Sequence, residues 1–352
     1  MSDTSYAAGG RRPPLSLKAG AWVMVRSKEE ILATLDARGR LDGLPFQPEM
    51  FAYCGKRLRV AKVAHKTCDT IHKTGGRSME RAVHLEGARC DGAFHGACQA
   101  DCVFFWKDDW LRPERGPAAA PPVPGPCTED RVFERARAPG HETSPDPVWV
   151  CQTTALFEAT GPLKWWDPRQ YIRDVTSGNH GAWHMAKLII AACYRNLVGL
   201  GYGYRYLVGF YNFFQKLRGG KPYPVAAGAI PDGKPTPVEN LGLKPGEWVE
   251  VKGPEEILPT ITVNGFNRGM RYDMEMLKYS GGRYRVQAVI ERLINESTGK
   301  MMPMKTPCIQ LEDVYCRAEC TAMRLGCPRG SISYWREIWL RRIPEVKANR
   351  PE

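Results

Sequence analysis

The feature that most constrains the fold of this chain is an internal duplication. The segment KAGAWVMVRSKEEIL, which begins at Lys18, aligns with KPGEWVEVKGPEEIL, which begins at Lys244, and the spacing of 226 residues (244 − 18) persists through later landmarks. After Cys90 the second copy is three residues longer, because Trp106 and its counterpart Trp335 are 229 residues apart (335 − 106) instead of 226. Because so many positions agree at one offset, the two stretches are copies of one structural unit. The aligned pairs include Gly43 with Gly269, Glu49 with Glu275, Cys90 with Cys316, Trp106 with Trp335 and Trp110 with Trp339.

Each copy has the pattern of short β-strands. Apolar and other residues alternate in WVMV from Trp22 and in RLRVAKV from Arg57, which is the periodicity of a half-buried strand. Ser27 precedes Glu30 with the spacing of a capping box, which predicts a short helix. The predicted fold class is α+β, with two mainly-β, SH3-like small barrels that are related by the duplication and separated by a helical middle segment.

Two unlike stretches separate the copies. Prolines run from Pro117 to Pro126, and this composition predicts a linker without a packed element. Residues 182–217 are apolar and aromatic but contain Gly199, Gly201 and Gly203, which predicts two helices with a glycine break. We expect their aromatic side chains to pack against the two barrels; a surface for a membrane or a partner is the alternative. The predicted segments are a disordered tail (1–17), the first metal-binding β repeat (18–112), a proline-rich linker (113–147), the helical middle segment (148–243), the second metal-binding β repeat (244–344) and a tail (345–352).

The net charge and the absence of export signals limit the class of protein. Lysine and arginine exceed aspartate and glutamate by 12, and the sequence pI is about 9.1, so nucleic acid is one partner to consider. The positive charge is spread over both copies and the middle segment and forms no basic block. The N-terminus lacks the apolar core of a secretory signal, and no apolar run is long enough to span a membrane. We therefore expect a cytoplasmic protein without a transmembrane segment.

The clustered cysteines predict metal binding. Twelve cysteines in a chain from a reducing compartment indicate metal ligands rather than disulfides. The second copy is the simpler case, since no histidine follows His184 and only cysteines can supply its soft ligands. Four thiolates complete the tetrahedral shell of a structural zinc ion. The predicted ligands of the second copy are Cys308, Cys316, Cys320 and Cys327.

The first copy offers two alternative ligand sets. The sets are Cys90, His95, Cys98 and Cys102, or Cys68, Cys90, Cys98 and Cys102. The second set follows from a hairpin that turns at Gly75, in which Cys68 would face Ala82, the residue that aligns with Cys308. We favour this four-cysteine set, and either set predicts a second structural zinc ion. Four cysteines stand apart in the sequence and are expected to be packing residues: Cys54, Cys127, Cys151 and Cys193.

Several of these motifs together resemble a family of proteins. YWREIWLR from Tyr334, CPR from Cys327 and the CDG and HGAC motifs between Cys90 and Cys98 are similar to those of uncharacterised bacterial tandem-repeat, cysteine-rich proteins. The likeness extends from Lys18 to Pro344 and includes WWDPRQY in the middle segment. The resemblance implies no defined activity, and it implies an accessory role beside biosynthetic enzymes.

The predicted function is that of a zinc-stabilised tandem-repeat interaction or accessory protein with a protein partner. One alternative is nucleic-acid binding through basic strands such as KRLRV from Lys56. The other is a metal-dependent enzyme with its site in the first repeat or the middle segment, for which Glu86 or Glu312 would act as acid or base. The sequence contains no serine, histidine and aspartate set and no phosphate-binding loop, so it does not predict a substrate.

Overall fold

Two antiparallel sheets of five strands, one in each copy of the duplicated sequence, form the framework of the protein. The computed structural model describes residues 13–114, 125–219, 223, 226–320 and 322–344. The first copy contains β1 (Trp22–Val25), α1 (Lys28–Leu32), β2 (Arg40–Leu41), β3 (Leu44–Pro45), a 3₁₀ helix (Pro48–Tyr53), β4 (Arg57–Val63), β5 (Lys66–Cys68), β6 (Gly76–Ser78), β7 (Ala82–Leu85), β8 (Trp106–Lys107), a 3₁₀ helix (Asp108–Trp110) and β9 (Leu111–Pro113). The middle segment contains α2 (Glu129–Glu134), β10 (Gly161–Leu163), α3 (Pro168–Thr176), α4 (Ala182–Gly199) and α5 (Tyr204–Leu217). The second copy contains β11 (Trp248–Val251), α6 (Pro254–Ile257), a 3₁₀ helix (Leu258–Thr260), β12 (Phe266–Asn267), β13 (Met270–Arg271), a 3₁₀ helix (Met274–Tyr279), β14 (Arg283–Ile294), β15 (Met301–Tyr315), a 3₁₀ helix (Ala322–Arg324), β16 (Ile332–Trp335), a 3₁₀ helix (Glu337–Trp339) and β17 (Leu340–Arg342).

The two five-stranded sheets have the same strand order and equivalent pairing. The first follows β8-β7-β4-β1-β9 and the second follows β16-β15-β14-β11-β17. Trp22 lies opposite Arg59 in the first sheet, as Trp248 lies opposite Arg285 in the second. The prediction of a mixed fold with antiparallel sheets and helices is therefore confirmed. Within the described residues neither sheet closes into a barrel.

Equivalent tryptophans tie each sheet to the helical turn beside it. Trp110 is fully buried and donates from Nε1 to Thr34 Oγ1 at 3.1 Å, and Trp339 donates in the same way to Thr260 at 3.0 Å. Thr34 follows α1, which begins with the predicted capping box at Ser27. Because a buried indole contributes a large apolar area and needs one acceptor for its N–H, this pairing builds the core in the same way in both copies.

The register of the predicted hairpin in the first copy is wrong. Cys68 ends β5 and pairs with Gly76 of β6, so Ala82 in β7 does not face it. The chain leaves the first sheet after Val63, where the Asn179 side chain accepts from the Val63 N–H and donates to its carbonyl, both at 2.8 Å. β6 then pairs with β10 of the middle segment, and β5, β6 and β10 form a separate sheet. In the second copy β14 and β15 continue instead as one long hairpin.

The middle segment forms two helices with a glycine break, as predicted. α4 ends at Gly199 and α5 begins at Tyr204, and between them Gly201 and Gly203 have φ angles of 80° and 65°. Such left-handed backbone suits glycine because it has no Cβ. α4 buries part of its surface, whereas α5 buries none of its side chains. The expectation that the aromatic residues pack against the sheets is therefore wrong for the exposed aromatic residues of α5, such as Phe210 and Phe213.

Part of the predicted linker is packed. α2 places Val132 in the core of the first sheet, and Cys127 just before it is also buried there. Residues 115–124 of the linker prediction lie outside the described residues, as do residues 1–12 and 345–352 of the predicted tails, so those parts stay predictions.

The two copies meet at equivalent positions. Thr70 and Glu296, which are 226 residues apart, hydrogen-bond to each other, and Arg329 donates to them at 3.1 and 2.8 Å. Nearby, the side-chain oxygen of Gln99 in the first copy accepts from the backbone N–H of Glu291 in β14 at 2.7 Å. Contact between residues at the same position of each copy is what an approximate two-fold relation produces.

Candidate metal centres

Three cysteines from one stretch of the first copy and one from the middle segment line a single small cavity. Its volume is about 30 Å³. A cavity needs roughly 10 to 15 Å³ to hold a water molecule, so this one has room for an ion or one or two waters but not for an organic substrate. The four residues are Cys90, Cys98, Cys102 and Cys151, and we call them the first cluster.

Sequence reasoning missed Cys151. It lies outside the duplicated segments and has no ligand-like spacing, so only the strand-like VWV before it marks the position. Tertiary contacts place it beside the others. The side chain of the next residue, Gln152, accepts from the N–H of Phe105 and donates to its carbonyl, both at 2.8 Å. These two bonds attach the segment to the chain that follows Cys102.

Burial disfavours the charged form of the thiols in the first cluster. It raises the pKa of Cys90, Cys98 and Cys102, and the nearby Glu49 carboxylate raises that of Cys90 further. A buried thiolate needs a cation beside it, and a coordinated metal ion deprotonates the thiols that bind it. The four residues are of a type that binds soft metal ions, although no three of their sulfur atoms lie within 4.8 Å of one another.

The loops of both copies place a backbone N–H near a clustered sulfur atom, two residues after the cysteine. Each of these N–H groups acts to lower the pKa of its thiol, whereas burial acts to raise it. The pairs are Gly92 with Cys90, Ala100 with Cys98, Ala318 with Cys316 and Arg329 with Cys327.

The loops that carry these donors adopt left-handed backbone at matching positions. Gly92 and its counterpart Ala318 have φ angles of 70° and 54°, and Ala97 and Gly326, which each precede a clustered cysteine, have angles of 56° and 68°. Left-handed backbone costs a residue with a Cβ about 1 to 2 kcal/mol. The two alanines are therefore held in place by interactions that the folded loop makes elsewhere.

Cys68 of the first copy packs with cysteines of the second. It contacts Cys316 and Cys327 together with Ala318, and we call the three cysteines the second cluster. The neighbouring Cys327 thiol lowers the pKa of Cys68, whereas burial acts to raise it. Cys68 and burial raise the pKa of Cys327, because two adjacent sulfurs do not both ionise readily.

The crossing between copies is reciprocal. Ile294, which aligns with Cys68, lies at the end of β14, and its N–H donates to Cys98 Sγ at 3.3 Å. Ile294 also packs against Cys98 and Trp149. Each hairpin end thus reaches the cysteine loop of the other copy, one with a thiol and the other with a backbone donor.

Two of the predicted ligands point away from the second cluster. Cys308 is buried beside Met270 at 3.5 Å and Arg336 at 3.4 Å. Cys320 donates from its backbone N–H to the Glu275 carboxylate, and its Sγ makes a weak contact of 3.8 Å with the Met274 carbonyl. The second cluster therefore contains three thiols. Cys320, which was predicted as a ligand, lies between Cys316 and Cys327 in the sequence but outside this cluster.

His95 directs both ring nitrogens at acceptors. Its Nδ1 lies 2.6 Å from Glu49 Oε1 and its Nε2 lies 3.1 Å from the Val150 carbonyl. Since a carbonyl only accepts, Nε2 carries a proton, and neither nitrogen has a lone pair free for a metal. Burial acts to raise the pKa of Glu49, but the hydrogen bond and charge of His95 hold it below its ordinary value. With Cys90 these two residues form the one group among the described residues whose three ligand atoms lie within 4.8 Å of one another.

Arg329 is buried between the two clusters. Burial acts to lower its pKa, but Glu296 and the sulfurs of Cys68, Cys102 and Cys327 raise it. One guanidinium therefore interacts with thiols of both clusters, and it offsets part of the negative charge that thiolate centres would carry.

The arginines of the basic strands are already engaged. Arg57 pairs with Glu114 at 2.6 Å, Arg59 donates to the Gly20 carbonyl at 3.2 Å, and Arg285 donates to the carbonyl of Gly246, the equivalent residue, at 3.0 Å. The side chains of Arg57 and Arg59 remain 49% exposed in spite of these contacts, so nucleic-acid binding through the strands stays a prediction.

A cleft of about 560 Å³ lies beside the second cluster. Cys316 and Cys327 contribute to its wall, together with His180 and Glu86. Glu86 pairs with Arg59 at 3.5 Å. Glu312, the second carboxylate considered from the sequence, is exposed on β15. The cleft is large enough for a small ligand, so the geometry of the neighbouring thiols bears on the enzyme alternative.

The chain matches no protein-family model, no curated protein and no solved structure. In the described part of the chain, no helix has both the length and the apolar character required to cross a membrane. The function is therefore inferred from the geometry of the cysteine clusters and the surfaces around them.

Proposed function

We propose that this protein is a tandem-repeat interaction or accessory protein whose two SH3-like repeats are fixed together by two structural zinc ions. The first ion is held by the thiolates of the first cluster, and the second by those of the second cluster with Cys320 as the fourth ligand. The observation that carries the proposal is the position of Cys68, a first-copy thiol packed among second-copy cysteines.

A metal ion at the second cluster cross-links the copies. Cys68 lies in β5, whereas Cys316 and Cys327 flank the loop that follows β15. The copies also meet through the packing of Ile294 against Cys98 and through polar contacts such as that of Thr70 with Glu296. Structural zinc supplies folding free energy directly, and a cross-link between the copies keeps their binding surfaces in one fixed arrangement.

Zinc is the metal that the donor set favours. Thiolate sulfur selects soft or borderline ions, and four thiolates form the closed tetrahedral shell of structural zinc sites. Cys320 becomes the fourth ligand of the second ion if its side chain turns away from the Met274 carbonyl. The contact of 3.8 Å between Cys320 Sγ and that carbonyl is weak and opposes the rotation little.

Metal content and its dependence on pairs of cysteines test the proposal. Purified full-length protein is expected to carry two zinc ions per chain by elemental analysis and native mass spectrometry. Cys151→Ser and Cys68→Ser are each expected to remove one ion, whereas Cys193→Ser, at an exposed cysteine, and His95→Ala remove none. Thermal unfolding verifies that each variant is folded.

Double variants identify which thiols share an ion. Cys68→Ser with Cys316→Ser is expected to retain one ion, because both ligands belong to the second centre. Cys68→Ser with Cys90→Ser is expected to retain none. The reverse result, with one ion kept only in the second pair, would place Cys68 in the first centre and overturn the cross-link.

The enzyme alternative rests on the cleft beside the second cluster. If Cys320 does not bind, the three thiols leave a coordination position facing a space of about 560 Å³, which is the arrangement of catalytic zinc. Cobalt substitution in Cys151→Ser, which isolates the second centre, distinguishes the two. A structural centre gives a tetrahedral thiolate spectrum that added cyanide or azide does not change. A spectrum that responds to these anions while the fold persists would favour the enzyme.

A further inference from the structure

α4 and α5 expose an apolar surface that the metal centres do not explain. Large side chains recur on the outer face of α5 at the spacing of one helical stripe, positions i, i+4, i+7 and i+11. A second stripe follows α4 at intervals of seven residues. The exposed fractions are 86% for Tyr206, 61% for Phe210, 60% for Phe213 and 67% for Leu217 on α5, and 71% for Trp183, 66% for Ile190 and 49% for Leu197 on α4. We call these seven side chains the hairpin surface.

The two helices contact each other beside these stripes. Tyr194 of α4, which lies on the same face as Ile190 and Leu197, donates from its hydroxyl to the Leu207 carbonyl of α5 at 2.5 Å, and its ring contacts that of Tyr211. The hairpin surface therefore belongs to a formed helical pair, and its side chains remain exposed beside the contact between the helices. Exposed apolar areas of this kind mark sites that bind another molecule or a membrane.

The positive charge of this region favours an anionic partner. Between Asp174 and Asp232 the sequence contains no aspartate or glutamate, but it contains six lysine and arginine residues. Lys187, Arg205 and Lys216 are exposed on the two helices themselves. A second copy of the same hairpin would bring like charges together, so self-association through it is disfavoured.

We propose that the hairpin surface binds an anionic lipid membrane, with α4 and α5 lying in the plane of the interface. Aliphatic side chains such as Ile190 and Leu217 gain by leaving water for the acyl region and have no means of stacking on a base or bonding to one. Tyrosine and tryptophan suit the interface because each combines an apolar ring with a polar group. Lysine and arginine around the stripes then contact lipid phosphates.

The length of the helices agrees with binding to the surface rather than insertion across it. α4 has 18 residues and α5 has 14, and neither is a membrane-spanning candidate. The glycines at 199, 201 and 203 allow the two helices to lie side by side. A scaffold fixed by metal would in this way be brought to a lipid surface by its middle segment.

Sedimentation with vesicles tests the proposal. Full-length, metal-loaded protein is incubated with vesicles of phosphatidylcholine alone or with about one third phosphatidylserine. We expect at least tenfold stronger partitioning to the anionic vesicles, and a clear loss in high salt because screening weakens the lipid attraction. Equal partitioning to both vesicle types, or none to either, would overturn the proposal.

Matched variants separate the apolar from the electrostatic contribution. Phe210→Ser with Phe213→Ser is expected to reduce partitioning at least tenfold, and Arg205→Glu with Lys216→Glu at least fivefold. Val238→Ser and Lys234→Glu, at exposed sites outside the hairpin, serve as controls and should leave it unchanged. All these side chains are exposed, so thermal unfolding should be unaltered in every variant.

Two further measurements exclude other occupants. Binding of single-stranded DNA or RNA that falls with charge reversal, in a protein that ignores anionic vesicles, would assign the surface to nucleic acid. A dimer in light scattering that Phe210→Ser with Phe213→Ser dissociates, again without vesicle binding, would assign it to a second copy. Either result would overturn the membrane proposal, and neither depends on the metal content.

Discussion

Removal of the buried amine of Lys66 is expected to destabilise the protein strongly and in a pH-dependent manner. Lys66 Nζ lies 2.6 Å from the Asp174 carboxylate and 2.7 Å from the Leu325 carbonyl, so it joins the first copy, α3 and the cysteine loop of the second copy. Asp174 is 0% exposed and Lys66 is 3% exposed. Lys66→Met would leave the carboxylate buried without its cation.

The magnitude follows from the burial of the pair. Loss of one partner of a buried ion pair costs about 3 to 5 kcal/mol, because the remaining charge is desolvated and uncompensated. The matched control is Lys28→Met. Lys28 pairs with Glu129 at 2.8 Å, but its side chain is 37% exposed, and loss of such a solvent-screened pair should change the free energy of unfolding little.

The pH dependence provides the sharper test. Burial raises the pKa of Asp174 to about 6, while Lys66 acts to lower it. A raised folded-state pKa contributes stability below the unfolded value near 4, and this contribution is lost as the pH rises through the folded value. Removing Lys66 raises the pKa further, so Asp174 is protonated and neutral at pH 6 in the variant. His65 lies 3.3 Å from the same carboxylate. If His65 takes up the proton instead of Asp174, the loss of unfolding free energy in the variant is again smaller at pH 6 than at pH 8.

Urea unfolding of the metal-loaded chain, followed by tryptophan fluorescence at pH 8 and pH 6, measures the effect. We expect Lys66→Met to lose about 4 kcal/mol at pH 8 and about 1 to 3 kcal/mol less at pH 6. Lys66→Met with Asp174→Leu should recover most of the loss, since an apolar pair often replaces a buried ion pair at little cost. A loss below about 1 kcal/mol, or one that is the same at both pH values, would refute the reasoning.

Two other variants test features of the first copy. His84 is fully buried, and burial lowers its pKa to about 4; the neutral ring therefore stabilises the fold above its unfolded pKa near 6.5, and that stability is lost as the pH falls towards 4. His84→Gln, which installs the residue found at position 310 of the second copy, should reduce the acid-induced loss of unfolding free energy by up to about 3 kcal/mol, and an unchanged acid profile would contradict this. Gly92→Ala places a Cβ against the Cys98 carbonyl and should remove one metal ion per chain. Ala318→Gly, at the equivalent left-handed position of the second copy, should retain both ions and relieve about 1 kcal/mol of backbone strain. Full metal content in Gly92→Ala would contradict the role of that turn.

Local pattern alone predicted several parts of the fold. The capping box at Ser27 begins α1, and the glycines after α4 end one helix and precede the next. Both features depend on residues within a few positions of each other, so short-range sterics and hydrogen bonds decide them. The constant offset of 226 residues likewise predicted that two segments fold alike, and their sheets have the same strand order.

The partners of the metal-ligand candidates could not be predicted in this way. The sequence showed that cysteines cluster in each copy, but the assignment of Cys68 depended on a hairpin register that Asn179 of the middle segment interrupts. Cys151 joins the first cluster because Gln152 bonds to the backbone of Phe105. These contacts join residues that are far apart in the chain, and no local periodicity reports them.

The sequence by itself therefore determined the repeat, the alternation within its strands, the glycine break and the supply of thiols. Only the tertiary structure decided that Cys68 crosses to the other copy and that α5 remains uncovered. The physical reason is that side-chain spacing defines which face of an element is apolar, whereas the surface that covers this face depends on how distant segments pack. Phe210 has the same sequence pattern whether it faces a core or the solvent, and it is 61% exposed because no described segment lies over it.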